Sequence, residues 1–310
     1  MRDGELRRPV MKNIGIKVII ICTITLIVVG TFTSTIIAKE EKKAKKQTVY
    51  VVTEKQSKDT CKIMNYDETN VSTYKYNKNG LLKNVDINYV SWGDLRTKKY
   101  DFTYKGKEVV KVKITDRGAT DSRKLIKKWY YNNSGLPKEI SVVNGQSDKL
   151  SFNKNGNLKL IKRTYKLSDG SKGLDKDVYS YDIGGNLKKC IYSTSTFGKT
   201  NFENHEYICD EKGNITFERY GYGKDVYSKN CKHTLTYNEQ GLLATRYTID
   251  DGNTYGDPGE GDPFDPRYII DVNQNYTYKS LRVDKKYVNI IKRQQWEILN
   301  NLGILYLREY

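Results

Sequence analysis

The sequence predicts a mostly-β fold. Tandem antiparallel β-hairpin repeats form an elongated or wrapped sheet, with an N-terminal transmembrane helix and a short C-terminal helix as cap. Three observations carry this expectation. A charge-free run of twenty residues extends from Val18 through Ile37. Seven glycines between residues 80 and 241 recur in one local context. From Tyr276 onward that context gives way to a helical spacing of apolar residues.

Composition sets the bounds. The chain has 310 residues, 54 Lys+Arg against 37 Asp+Glu, and a formal charge of +17. Its 12% aromatic content, 26 Tyr among it, argues against wholesale disorder. Five Pro and 24 Gly exclude collagen-like and Pro-rich chains. Two His and five Cys leave little material for a zinc site or a His-centred catalytic apparatus, so neither a catalytic residue nor a cofactor is assigned and no enzyme is expected.

Residues 1–38 are read as a cytoplasmic leader and signal anchor. Twenty residues in a helix span the roughly 30 Å of a bilayer core, and Arg2, Arg7, Arg8, Lys12 and Lys17 precede the run. Cleavage near Ala38 would instead release the chain, but Ile36 and Lys39 make a poor processing site. The expected location is a single-pass cell-membrane protein with its repeats outside, or a secreted one if the segment is cleaved. Residues 39–58 read as a polar tether, Lys-rich at first and interrupted by Val49, Tyr50, Val51 and Val52. That apolar patch is equally readable as a first strand.

Residues 59–250 are read as a seven-unit repeat domain. Gly80, Gly106, Gly135, Gly156, Gly185, Gly213 and Gly241 are its repeat-turn residues. Four positions before each stand Tyr76, Phe102, Tyr131, Phe152, Tyr181, Cys209 and Tyr237; six before stand Tyr74, Tyr100, Trp129, Leu150, Tyr179, Tyr207 and Leu235. These two columns share one strand face. Three before, six of the seven are Asn or Asp, with Thr103 the exception; such side chains bond their own backbone in tight turns. Each unit is therefore a hairpin with an Asn/Asp-x-x-Gly turn.

Tyr181-Asp-Ile-Gly-Gly-Asn-Leu-Lys, Phe152-Asn-Lys-Asn-Gly-Asn-Leu-Lys and Tyr237-Asn-Glu-Gln-Gly-Leu-Leu resemble the Tyr-Asp (YD) repeat of the RHS-repeat class of bacterial surface and toxin-delivery proteins. The resemblance covers residues 70 to 250 and implies an architecture of hairpins spiralling into a shell, not an activity.

Few residues invite chemistry. His205 and His233 sit eight residues before their glycines, in a slot held elsewhere by Ser72, Lys98, Lys127, Asp148 and Asp177. That slot reads as a variable polar strand position rather than a base. Cys190 and Cys209 form a disulfide if the Ser193–Glu203 connection is a symmetric bend. Residues 251–267 form an acidic Pro/Gly loop in which Asp251, Asn253, Asp257 and Asp262 echo a calcium loop, against the plainer reading of a solvated loop. Otherwise no metal is expected. Residues 268–310 supply a final strand and a cap, with Val288, Ile291, Trp296, Ile298 and Leu299 at helical spacing.

Lys83, Lys138, Lys159 and Lys188 lie three residues after their glycines. They suit an anionic polymer or simply a solvated face that resists edge pairing. The expected function is an exported, membrane-anchored binding or display module of the bacterial cell envelope. Its expected partner is a glycan or anionic wall polymer, not nucleic acid. The alternatives are a structural or toxin-associated RHS-like surface component and, further off, an enzyme.

Overall fold

A computed structural model describes residues 46–61, 66–91, 94–118, 120–133, 135–143, 147–225, 227, 229–250 and 270–302. The chain divides into two compact units, Met1–Gln47 and Thr48–Tyr310; only Lys46 and Gln47 of the first are described.

The described strands are, in order, β1 (Lys46–Cys61), β2 (Tyr66–Tyr76), β3 (Leu82–Ser91), β4 (Asp94–Lys105), β5 (Glu108–Arg117), β6 (Ser122–Tyr131), β7 (Pro137–Val142) and β8 (Ser147–Phe152). They continue as β9 (Leu158–Lys166), β10 (Lys172–Tyr181), β11 (Leu187–Thr196), β12 (Lys199–Cys209), β13 (Ile215–Tyr222), β14 (Lys229–Tyr237), β15 (Leu243–Asp250) and β16 (Ile270–Asp284). One helix, α1 (Lys285–Asn300), follows β16. Each strand pairs with the next, and β16 returns beside β1 to close a barrel.

Closure corrects the expected elongated or wrapped sheet, and with it the resemblance to the RHS-repeat class and its spiralling shell. The physical reason lies in β1. Much of the segment read as a tether is a strand, so the patch at Val49–Val52 is the first stave. Its Glu54–Cys61 half runs antiparallel to Tyr66–Thr73 of β2. The Thr53 and Thr60 hydroxyls of the same strand donate to the Thr277 and Asp271 carbonyls of β16. A sheet with both edges paired has nothing left to extend.

The expected transmembrane helix at Val18–Ile37 lies outside the described residues. Among those that are described, no helix is long and apolar enough to cross a membrane. The expected single-pass helical localisation therefore finds no counterpart among the described residues. Polarity along the strands is informative too. In β10, Lys176, Val178 and Ser180 are exposed while Asp177 and Tyr179 are buried. Lys83, Lys111, Lys128, Lys138, Lys149, Lys159, Lys162 and Lys188 are likewise exposed on the outer wall. Apolar side chains with a polar layer among them thus fill the lumen, while lysines cover the outside, the reverse of the apolar outer band that a lipid-facing barrel wall carries.

The turns follow one recipe. Asn77 N–H donates to the Leu81 carbonyl and Gly80 N–H to the Asn77 carbonyl, and Asn132, Asn153, Asp182, Asp210 and Asn238 repeat that pattern. The Asn77 Oδ1 accepts from the N–H groups of Asn79 and Leu81, the side-chain bond expected of this residue in a turn. Just before each turn the register slips by one residue, at Lys75/Tyr76 and at the equivalent point of the other six hairpins. Bulges of this kind sharpen local twist. Gly106 departs from the recipe: Lys105 pairs directly with Glu108, leaving a two-residue loop. Thr103 breaks the Asn/Asp column because this turn needs no such side chain.

The tyrosines before the turns, and Tyr278 on β16, stitch neighbouring strands together. Tyr76, Tyr104, Tyr131, Tyr181 and Tyr278 each donate from the phenol to a main-chain carbonyl: Val52, Leu82, Val109, Leu158 and Leu243 respectively, at 2.6 to 3.0 Å. The short loop at Gly106 gives this role to Tyr104 rather than Phe102. Cys209 stands in the same place, its thiol 3.6 Å from the Leu187 carbonyl.

Helix α1 lies across the mouth that carries the glycine turns. Its buried face combines Tyr287, Val288, Ile291 and Ile298 with the polar Gln294, Gln295, Glu297 and Asn300. The polar members are explained by what they touch. Gln295 Oε1 accepts Val52 N–H, Gln294 Oε1 accepts Leu82 N–H, and Asn300 Oδ1 accepts Ile215 N–H. The helix thereby satisfies main-chain N–H groups within β1 and at the first residues of β3 and β13, as buried backbone requires. Arg293 and Trp296 donate to the Gly156 and Gly213 carbonyls. The helix ends on Asn301 in the left-handed region, φ 55°, with its N–H on the Glu297 carbonyl.

Candidate functional site

Two arrays of polar side chains stand out, one inside the barrel and one on its wall. The inner array grows from the slot eight residues before each glycine. Two residues along a strand return to the same face, so this slot lies beside the buried aromatic column. Ser72, Lys127, Asp148 and Asp177 are buried there, and Lys98, His205 and His233 are largely enclosed. What reads along the chain as a variable surface position is a polar layer of the lumen.

Lys98, Asp148 and His205 of that layer are cross-linked by charge. Arg163 binds Asp148 through Nε at 2.8 Å and Asp175 through Nη1 at 3.0 Å. Arg96 holds Asp116 at 3.2 Å and Asp121 at 3.0 Å, while the Tyr89 phenol donates to Asp116. His205 is clamped between Glu218 at Nδ1, 2.5 Å, and Glu203 at Nε2, 3.0 Å. Its ring stacks on Tyr220 and Tyr207 and meets Tyr192 edge-on.

The two histidines occupy one sequence slot and titrate in opposite directions. Burial disfavours charge on His205, but its hydrogen bonds to Glu203 and Glu218 outweigh this and push it up to about 9. His233 bonds Thr248 Oγ1 at 2.8 Å; burial and then the positive charge of Arg246 pull it down to about 4. Buried phenols in the lumen, Tyr192 and Tyr220 among them, are raised well above their ordinary range by burial. Neighbouring Tyr therefore stay neutral.

His205 predicts a specific pH dependence. A histidine held above its free value stabilises the fold fully below about 6.5 and loses that contribution as pH rises through about 9. The melting temperature of His205→Gln is expected to fall below that of the parent chain at pH 6, and the gap is expected to close by pH 10. A gap constant across that range contradicts the assignment.

The outer array appears only once strands are paired. Lys149 on β8 lies directly opposite Lys162 on β9, and Lys162 opposite Lys176 on β10. All three are exposed, and none forms an ion pair among the described residues. Glu139 stands across from Lys149 on β7. A second pair, Lys111 and Lys128, faces across β5 and β6. Like charges in directly opposed positions are unfavourable, each by a few tenths of a kcal/mol or more, ~0.2–1 kcal/mol. The column Lys83, Lys138, Lys159 and Lys188 is exposed on the same outer wall. Lys149, Lys162 and Lys176 escape a reading by glycine offset. The turn at Gly156 that sets Lys149 against Lys162 is nonetheless visible in the sequence.

The remaining candidates resolve as follows. Cys190 and Cys209 are not joined in a disulfide. The register sets Cys190 against His205 and Cys209 against Ile215, so the proposed disulfide is corrected. Asp251, Asn253, Asp257 and Asp262 lie outside the described residues. No cluster of three or more metal-ligating side chains occurs among those described. The repeat-turn glycines Gly80, Gly106, Gly135, Gly156, Gly185, Gly213 and Gly241 all have positive φ, from 61° to 87°.

Comparison with known proteins adds little to these roles. No protein-family model matches the chain and no curated protein matches it. Among solved structures it is similar to a porin-like protein from Bacteroides uniformis, at 14% identity and TM-score 0.46, covering 74% of this chain and 96% of that one. A porin-like protein from Bacteroides vulgatus is similar at 9% identity and TM-score 0.35, covering 74% and 98%. A TcdB2–TccC3 complex matches at 10% identity and TM-score 0.24, over 63% of this chain but only 13% of that one. Likenesses of this size transfer no ligand and no residue role.

Proposed function

We propose that this protein is a non-catalytic binding module of the bacterial cell envelope that holds an anionic polymer against the outer wall of its barrel. The observation that supports this reading is the row Lys149–Lys162–Lys176, three exposed lysines on adjacent strands with no carboxylate bound to any of them among the described residues. Adjacent strands are spaced about 4.8 Å apart, so the row offers three cations within the reach of successive charges on one flexible polymer. A rigid wall keeps them together without the polymer, so little ordering is required on binding. Within the lumen, by contrast, Arg163, Arg96 and His205 spend their charges on neighbouring carboxylates.

The test is retention of the full chain on immobilised polyphosphate and on a neutral polymer of similar length. Retention is expected on the first alone and is expected to weaken with salt, because exposed charges are screened beyond about 8 Å at physiological ionic strength. Replacing Lys149, Lys162 and Lys176 together by Gln is expected to weaken it about tenfold, a change of about 1.4 kcal/mol. Equal retention on both polymers, or a triple variant that binds like the parent, overturns the proposal.

A further inference from the structure

A groove of about 370 Å³ opens where β15, β16 and β1 meet, beside the turn at Gly241. Pockets that take small ligands begin at about 300 Å³. Tyr50 gives it an exposed aromatic ring, with Tyr276 and Tyr278 beside it; Asn238, Gln240, Thr277 and Ser280 give it amides and hydroxyls. We propose that this groove is a saccharide site, taking one neutral pyranose ring.

The chemistry of the lining selects that ligand. A pyranose presents a C–H face that packs on an aromatic ring and a rim of hydroxyls that both donate and accept. Tyr50 supplies the ring. Its neighbours Val49 and Val51 are buried, yet Tyr50 is 44% exposed. An exposed aromatic of this kind suits a face that is apolar on one side and wet on the other. The phenols of Tyr276 and Tyr278 are already committed, donating to Gln274 Oε1 and the Leu243 carbonyl. Tyr276 is only 8% exposed and Tyr278 packs against the same core, so the ring that a ligand meets is that of Tyr50.

The rim groups are free to bind. The side chains of Gln240, Thr277 and Ser280 make no hydrogen bond to any described residue, and each can both donate and accept. Asn238 Oδ1 is taken by Leu242 N–H, which leaves its amide NH₂ as the donor it can offer. The lining contains no carboxylate, and its one cation, Lys279, sits 5.6 Å over the Tyr76 ring. A cationic ligand therefore finds no counter-charge in the described lining, and an anionic one finds only Lys279. The groove is separate from the lysine row on β8–β10, so the two readings stand or fall apart.

The experiment is saturation-transfer difference NMR on the full chain with methyl glycosides of glucose, galactose, mannose and N-acetylglucosamine. At least one is expected to receive saturation on its ring C–H protons. Tyr50→Ala and Gln240→Ala are each expected to weaken binding about tenfold, whereas Tyr50→Phe keeps the stacking ring and is expected to bind. The Lys149, Lys162 and Lys176 triple Gln variant is expected to bind the sugar normally while losing the polymer. Tyr50 and Gln240 are exposed, and unchanged melting temperatures confirm that the variants fold. No saturation with any glycoside overturns the proposal, as does binding unaffected by Tyr50→Ala or a response to nucleosides in place of sugars.

Discussion

Gly80→Ala is expected to destabilise the barrel by about 3 kcal/mol, far more than the same change at Gly106 or Gly156. Two costs combine at Gly80. Its φ of +78° lies in the left-handed region, where a Cβ costs roughly 1–2 kcal/mol. That Cβ would also sit 2.6 Å from Val283 Cγ1 and 2.9 Å from Ile291 Cδ1. Both side chains are almost fully buried, so neither can yield, and overpacking of this kind costs roughly 1–3 kcal/mol. A Cβ at Gly106 or Gly156 meets nothing within 4 Å, which leaves only the backbone cost. Urea unfolding of the three variants separates the cases. Equal losses at all three positions would show that α1 does not press on the Gly80 turn.

Asn300→Ala is expected to be comparably damaging, by about 3 kcal/mol, for a different reason. One oxygen, Asn300 Oδ1, accepts from Ile215 N–H at 2.9 Å and from Arg246 Nη2 at 2.9 Å. Arg246 is 2% exposed, makes no ion pair among the described residues, and has an Nε without a partner. Burial holds its pKa below the usual arginine value, opposed by the phenols of Tyr276 and Tyr237. Removing the acceptor strands a buried cation, and hydrogen bonds to charged groups are worth roughly 1.5–3 kcal/mol. The stranded Ile215 N–H adds roughly 1–3 kcal/mol before the site relaxes. Replacing Arg246 by Met in the same chain is expected to recover part of the loss, because an apolar side chain of similar length needs no acceptor. If the double variant is as unstable as the sum of the singles, the two residues are not coupled and the account fails.

Both predictions concern the closure of one mouth by α1. That closure was only partly legible in the sequence. Apolar spacing at Val288, Ile291, Ile298 and Leu299 located a helix, but it started three residues late. It also passed over Gln294, Gln295 and Asn300, because a hydrophobic period does not register polar side chains that are buried to cap strand ends. Trp296 was visible as an apolar residue; its hydrogen bond to the Gly213 carbonyl was not.

The candidate sites show the same limit. The slot of Ser72, Lys98, Lys127, Asp148, Asp177, His205 and His233 was correctly aligned along the chain, yet its members differ too much in type to read as interior. They are interior because each finds its partner on another strand, as His205 does in Glu218, thirteen residues away. The lysine row on β8, β9 and β10 is likewise a property of register. The saccharide groove joins Tyr50 to residues 238–242 and 276–280, and no local pattern brings those segments together.

By itself the sequence determined the local geometry. Asn and Asp bond their own backbone, and residues two apart share a strand face, so the turn positions and the alternation of buried and exposed residues are written in short range. It could not determine that the sheet closes. Closure depends on β1 meeting β16 across more than two hundred residues, where Thr53 bonds the Thr277 carbonyl, and on a helix that satisfies the strand ends at one mouth. An open sheet and a closed barrel share the same alternation and the same turns. They differ only in whether the first and last strands find each other, and that is decided by the tertiary structure.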